Sequence, residues 1–127
     1  MNQKNTLTTA AIMGVLAVSI GAFGAHALKP MLTASGRLET FELAVRYQFY
    51  HTLALLTVGI LMGQFKSSKL GYAAYFFLLG IMFFSGSLYV LCFTGLGILG
   101  AVTPIGGVLF ILGWIFLMLG VRSNSSN

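Results

Sequence analysis

An all-α membrane protein, with four transmembrane helices in an antiparallel bundle and short loops, is the fold this sequence predicts. Three observations carry the prediction. Of 127 residues, 57% are hydrophobic and 7% charged, whereas soluble domains carry roughly 25% charged residues. The mean hydropathy is +0.93, so the surface is built for lipid rather than water. The apolar sequence also breaks into four stretches, each close to the roughly 20 residues that cross a bilayer as a helix. Residues 1–127 are accordingly expected to form a single membrane domain, with nothing left over for a soluble one.

The first span is expected over about residues 7–28, stopped by Lys29 and Pro30. Lys4, an apolar core and Ala25-His26-Ala27 also fit a secretory signal peptide. The apolar stretch is long for a signal core, and it is counted as a span. The second runs over about 41–64, before the polar turn Lys66-Ser67-Ser68-Lys69. The third covers about 70–93. Gly95-Leu96-Gly97 opens a glycine-rich connection, and Thr103-Pro104 predicts an N-cap followed by proline at the first helical position. The fourth span, 103–121, ends before Arg122 and a tail of serine and asparagine.

The net charge of +5 does not point to nucleic acid, because the basic residues sit singly at the ends of apolar segments and make no patch. They match loop retention on the cytoplasmic side instead. With four spans, Lys4, Lys66, Lys69 and Arg122 lie on one side of the membrane, while Lys29 and Arg37 lie on the other, joined by Arg46 only if the start of the second span is counted with its loop. Both termini are therefore expected in the cytoplasm. The single cysteine, Cys92, excludes an intrachain disulfide and reads as a small packing residue.

Lipid gives apolar helices no hydrophobic reason to associate, so close approach at small residues has to supply packing energy. Ala17, Gly21 and Ala25 recur every four residues on the first span. Gly59 and Gly63 form GxxxG on the second, and Gly106, Gly113 and Gly120 recur every seven on the fourth. Such grooves serve contacts within one chain or between subunits equally well.

Polar chemistry concentrates at the start of the second span. Glu42 precedes Arg46 by four residues, the favourable order for a helical ion pair. His51 lies further along the helix, and Phe41, Val45, Phe49 and Leu56 form a narrow strip that is cheap to expose to lipid. The bland account leaves Arg37 and Glu39 touching headgroups and water. For Arg46 and His51 a protein-facing polar cluster is the expectation, because ionisable groups in spans rarely face lipid. His26 ends the first span on the same side, which suggests two imidazoles close together near one interface. A histidine pair is a possible haem or metal site, but two histidines without further ligands make a weak one, and no cofactor is expected. Ser85 and Tyr89 of the third span complete the candidate cluster His26, Glu42, Arg46, His51, Ser85 and Tyr89. Without a nearby acid or base in sequence, Ser85, Ser87 and Tyr89 read as interhelical hydrogen-bonding groups rather than a catalytic set.

Gly21-Ala22-Phe23-Gly24-Ala25-His26-Ala27-Leu28, Tyr47-Gln48-Phe49-Tyr50-His51-Thr52-Leu53-Ala54-Leu55-Leu56, Phe84-Ser85-Gly86-Ser87-Leu88-Tyr89, and Thr103-Pro104-Ile105-Gly106-Gly107 with Gly113-Trp114 resemble the motifs of the transmembrane protein 256 family. The resemblance spans essentially the whole chain. It implies a small multispan protein of the bacterial inner membrane, with no activity to carry over. Two function classes follow. Minimal loops and glycine grooves suit a non-enzymatic accessory or assembly subunit of a membrane complex, associating with other subunits or with itself. A homo-oligomeric conductor of ions, protons or small solutes, using the polar cluster as a relay, is the alternative. An enzyme or haem protein ranks third.

Overall fold

In a computed structural model of the chain, residues 1–123 are described. Their regular structure is helical: α1 (Gln3–Ala25), the short α2 (Lys29–Ala34), α3 (Leu38–Leu61), α4 (Ser68–Thr94), a 3₁₀ turn (Gly97–Ala101) and α5 (Thr103–Arg122). The serine and asparagine tail from residue 124 lies outside the described residues.

Helix ends depart from the hydropathy breaks for local reasons. α1 begins before Leu7 because the Asn2 side chain accepts from the Asn5 N–H at 2.8 Å, an N-cap that satisfies one of the helix's orphan donors. Thr6 and Thr8 then bond back to the carbonyls of Asn2 and Lys4. α1 stops at Ala25, and the Leu28 N–H closes onto the Phe23 carbonyl at 2.9 Å. Where a plain loop is expected, Pro30 in the first turn starts α2, since proline's fixed φ suits a helix start. Leu32 anchors α2 in a buried cluster with Phe41 and Cys92. Gly36, at φ 70°, makes the left-handed turn into α3 that a side chain would oppose.

Ser67 caps α4, accepting from the Lys69 N–H at 3.3 Å. Gly95, at φ 71°, closes its other end. Thr103 is not the expected N-cap of α5. The preceding 3₁₀ turn puts Val102 in the cap position, and the Thr103 hydroxyl turns across to Ser87, 2.7 Å away.

α1, α4 and Gly97–Arg122 are long and apolar enough to cross a membrane. α3 is as long, but Glu39, Glu42, Arg46, Gln48 and His51 make its first half polar. The long helices pack on their sequence neighbours, α1 on α3, α3 on α4 and α4 on α5, while α3 and α5 meet mainly through side chains at His51, Phe110 and Trp114. Each pair runs antiparallel: Gly24 meets Phe41 while Gly59 meets Leu7, and Gly80 meets Phe110 while Gly120 meets Leu70. The result is a row of helices. At one end of it Met1 lies beside Gly71, and the Ser123 hydroxyl bonds that of Ser67 at 3.0 Å. Both ends of the described chain therefore meet the α3–α4 turn.

Glycine notches set the interhelical distances. On α5, a Cβ at Gly106 would collide with the backbone of Phe84, one at Gly113 would lie 2.6 Å from the Phe77 ring, and one at Gly120 would lie 2.8 Å from Leu70. Gly59 receives Leu7, and Gly21 faces Val45. Gly63 lies at an exposed position beside the Gln3 amide. Ala17 is fully buried, whereas Ala25, expected in the same groove, is exposed. Gly24 and Gly80, which the sequence pattern does not single out, take the rings of Phe41 and Phe110.

Candidate functional site

Buried polar side chains form two centres along the α3–α4 seam. In the first, Gln48 on α3 donates from Nε2 to the Met13 carbonyl of α1 at 3.2 Å. Its Oε1 accepts the Tyr89 hydroxyl of α4 at 2.6 Å. One amide thereby ties three helices. One turn away, the buried Ser85 hydroxyl donates to the Ala44 carbonyl at 2.7 Å. In an environment without water, such groups are costly unless bonded, and here the partners are supplied from the neighbouring helix.

The second centre is His51. Its ring stacks on Phe110, with centroids 3.5 Å apart and planes at 8°, and is flanked by Tyr47 and Phe77. Nδ1 lies 2.8 Å from the Tyr47 carbonyl. That oxygen can only accept, so the proton is assigned to Nδ1 from the bonding pattern. Nε2 then accepts the indole N–H of Trp114 on α5 at 3.2 Å. Both ring nitrogens are engaged in the neutral tautomer. No lone pair remains for a metal or haem, and adding a proton at Nε2 would set two donors against each other.

The candidate cluster of six is therefore not a single site. His51, Ser85 and Tyr89 lie in these two interior centres, but His26, Glu42 and Arg46 do not. His26, at the C-cap of α1, is exposed and borders a shallow hollow with Ser19, Phe23 and Ala27. His51 lies about 20 Å along α3 from Leu38 at 1.5 Å per residue, level with Phe77 and Trp114. The two imidazoles thus sit at different depths and make no pair. Placing the helix start near residue 41 makes His51 look shallower than it is.

Glu42 and Arg46 are both exposed, and among the described residues neither makes an ion pair within 4.0 Å. An i,i+4 pair contributes only about 0.2–0.5 kcal/mol, little against the entropy of holding two long side chains together. The expected lipid strip holds at Leu56, which is exposed, but is reversed at the start of α3. Phe41 is 2% exposed because its ring enters the notch at Gly24, and Val45 packs at Gly21. These contacts turn the adjoining Glu42 and Arg46 outward. With Gly21, Gly24, Ala25, Phe41 and Val45 they line a groove of about 370 Å³ on the α1–α3 seam.

Gln48, which is buried, and Trp114, half-exposed but turned inward at its indole N–H, complete the two centres. A lone glutamine in an apolar span and the only tryptophan were the available signals, but their partners are up to 63 positions away, beyond any helical periodicity. A further interhelical bond joins Ser87, about two turns before the end of α4, to Thr103 at the start of α5.

The segment from Ile20 through Gly107 carries nearly all these groups, and that stretch matches the family model described as a protein of unknown function, DUF423, over residues 20–107. The chain belongs to the DUF423 family. Among relatives of this DUF423 protein, a UPF0382 membrane protein of Staphylococcus saprophyticus is 48% identical over 110 residues, covering 87% of this chain and 90% of the relative. The UPF0382 membrane protein YwdK of Bacillus subtilis is 41% identical, covering 86% and 89%. One from Haemophilus influenzae is 40% identical over 121 residues, covering 94% and 95%. No solved structure matches. These relatives are membrane proteins by name, and the family carries no stated activity.

Proposed function

We propose that this DUF423 protein is a non-enzymatic accessory or assembly subunit of a bacterial inner-membrane complex, related to the transmembrane protein 256 family. In this reading it is a single domain crossing the membrane four times with both termini cytoplasmic. The carrying observation is that, among the described residues and with the Thr52 hydroxyl as the exception, the buried side-chain polar groups are hydrogen-bonded within the fold. Gln48, Tyr89, Ser85, His51, Trp114, Ser87 and Thr103 bond one another or the backbone of a neighbouring helix. Such a set holds helices in register and leaves His51 without a free nitrogen for proton relay or ligation. Large apolar side chains, including Ile98, Val15 and Phe23, are instead presented outward, as lipid or partner helices require.

Four crossings are supported by α3. The residues that lower its hydropathy most deeply along the helix, Gln48 and His51, are covered by other helices, so they need not meet lipid. The meeting of Met1, Ser67 and Ser123 at one end agrees with an even number of crossings. Purification at native expression in mild detergent should recover a foreign subunit in stoichiometric amount. Recovery of a pure homo-oligomer would overturn the accessory role in favour of conduction.

A further inference from the structure

The groove on the α1–α3 seam combines features that a merely unfinished helix contact does not need. Its floor is small and apolar, made by Gly21, Gly24 and Ala25, and one wall carries a carboxylate and a guanidinium of opposite sign. Among the described residues neither charge has an ion-pair partner within 4.0 Å. They are also ordered in depth. Glu42 lies about 6 Å along α3 from Leu38 and Arg46 about 12 Å, at 1.5 Å per residue. The headgroup layer on each side of a bilayer is on the order of 5–8 Å thick. With Leu38 at the water, Glu42 therefore falls near the level at which headgroup passes into hydrocarbon and Arg46 about 6 Å deeper at 1.5 Å per residue, from where its long side chain reaches back to the headgroups.

We propose that this groove binds a zwitterionic phospholipid with a primary-amine headgroup, Glu42 receiving the ammonium and Arg46 the phosphate. In such a lipid the phosphate adjoins the glycerol and the ammonium is carried outside it, the same order as Arg46 and Glu42. A guanidinium offers two parallel N–H donors to phosphate oxygens, and the carboxylate accepts from the ammonium. An anionic headgroup satisfies Arg46 but leaves Glu42 facing like charge or nothing. A bare cation is repelled by Arg46. A second copy of the chain supplies complementary charges across a two-fold axis, but it brings the same concavity and leaves the hollow unfilled. The apolar lining of Gly21, Ala25, Phe41 and Val45 accommodates the glycerol and first methylenes of the lipid, which fixes the occupant as an amphiphile rather than a soluble phosphoamine.

Native mass spectrometry of the full chain tests this, using equimolar phosphatidylethanolamine and phosphatidylglycerol in mild detergent. The wild type should retain the amine lipid roughly tenfold over the anionic one, in keeping with the cost of juxtaposing like charges. Glu42→Gln should abolish that preference while leaving phosphate binding, and Arg46→Gln should lose both lipids. Glu39→Gln, exposed one turn away and outside the groove, should match the wild type. Melting temperatures without lipid check that each variant is folded. If Arg46→Gln does not fold, Glu42→Gln alone decides, because headgroup preference rests on its carboxylate. Equal retention of both lipids by the wild type, or an unaltered preference in Glu42→Gln, overturns the proposal. So does competition by soluble phosphoethanolamine as effective as by the lipid, or a lipid-free dimer that Arg46→Gln dissociates.

Discussion

The α4–α5 seam and the α1–α3 seam are both built on glycine, yet one is closed along its length and the other opens into a charged groove. Between α4 and α5 both helices carry notches, three on α5 and one on α4: Gly106 against Phe84, Gly80 against Phe110, Gly113 against Phe77 and Gly120 against Leu70. Aromatic rings fill those at Gly80 and Gly113, the Phe84 backbone closes on Gly106, and Leu70 fills Gly120. Between α1 and α3 the fillers are Leu7, Val45 and Phe41, and the residues beside them at the outer end are Glu42 and Arg46. A notch sets the distance between two backbones, but whether the edge of the contact is finished depends on the residues flanking the filler. Apolar flanks can rest against lipid; ionised ones call for a further partner.

The sharpest way to break this comparison is at Gly106. Its missing side chain faces backbone, which cannot swing away as a ring can, so Gly106→Ala should cost about 3 kcal/mol or more, the upper range for overpacking. Reversible unfolding in detergent measures this, and a cost under about 1 kcal/mol would show that α4 and α5 are not in close backbone contact. Gly113→Leu should also lower the melting temperature, and an unchanged melting temperature and oligomeric state would place that stripe against lipid instead. On the other seam Gly24→Ala should cost less than Gly106→Ala, about 1–2 kcal/mol, because the Phe41 ring has the groove beside it. Equal costs at Gly24 and Gly106 would erase the distinction between the seams.

Hydrogen bonding gives the next smaller effect. Tyr89→Phe strands the Gln48 carbonyl oxygen and should cost about 0.5–2 kcal/mol, while adding Gln48→Leu should cost little more than Gln48→Leu alone. Strict additivity would mean that the two side chains are not bonded. The smallest effect is expected between Glu42 and Arg46. Neutralising each, then both, should give stability changes that add within about 0.5 kcal/mol, and a larger coupling would reveal an ion pair and a shut groove. Orientation has its own measurement: cysteines at Ser35 and Ser68 should label from opposite sides of intact cells, with Ser35 reached from outside.

Much of this fold is legible in the sequence, because lipid makes hydropathy a direct record of helix length. The period-seven glycines of α5 likewise mark a real seam. What hydropathy does not encode is which face of a helix meets which neighbour. Phe41 looks like lipid-facing surface and Arg46 like interior until the notch at Gly24, on a different helix, reverses them. The short α2 is hidden for a related reason, since a single proline and one buried leucine make it, too few residues to leave a period. Ser85 and Tyr89 are recognisable as interhelical donors from their apolar surroundings. Their acceptors are 41 residues away, and one of them is a backbone carbonyl that no side-chain pattern records.

The hydroxyl contact between Ser67 and Ser123, with Met1 close by, bears on how such a chain can be multiplied. In the proposed four-crossing reading, units whose Met1 and Ser123 positions lie together can be joined in tandem by a short tether, and each copy inserts in the same sense as the last. Had the ends emerged on opposite faces, every second copy would be inverted and any lateral contact surface would be turned upside down. The geometry at this end therefore makes gene duplication a cheap route to larger assemblies of parallel units.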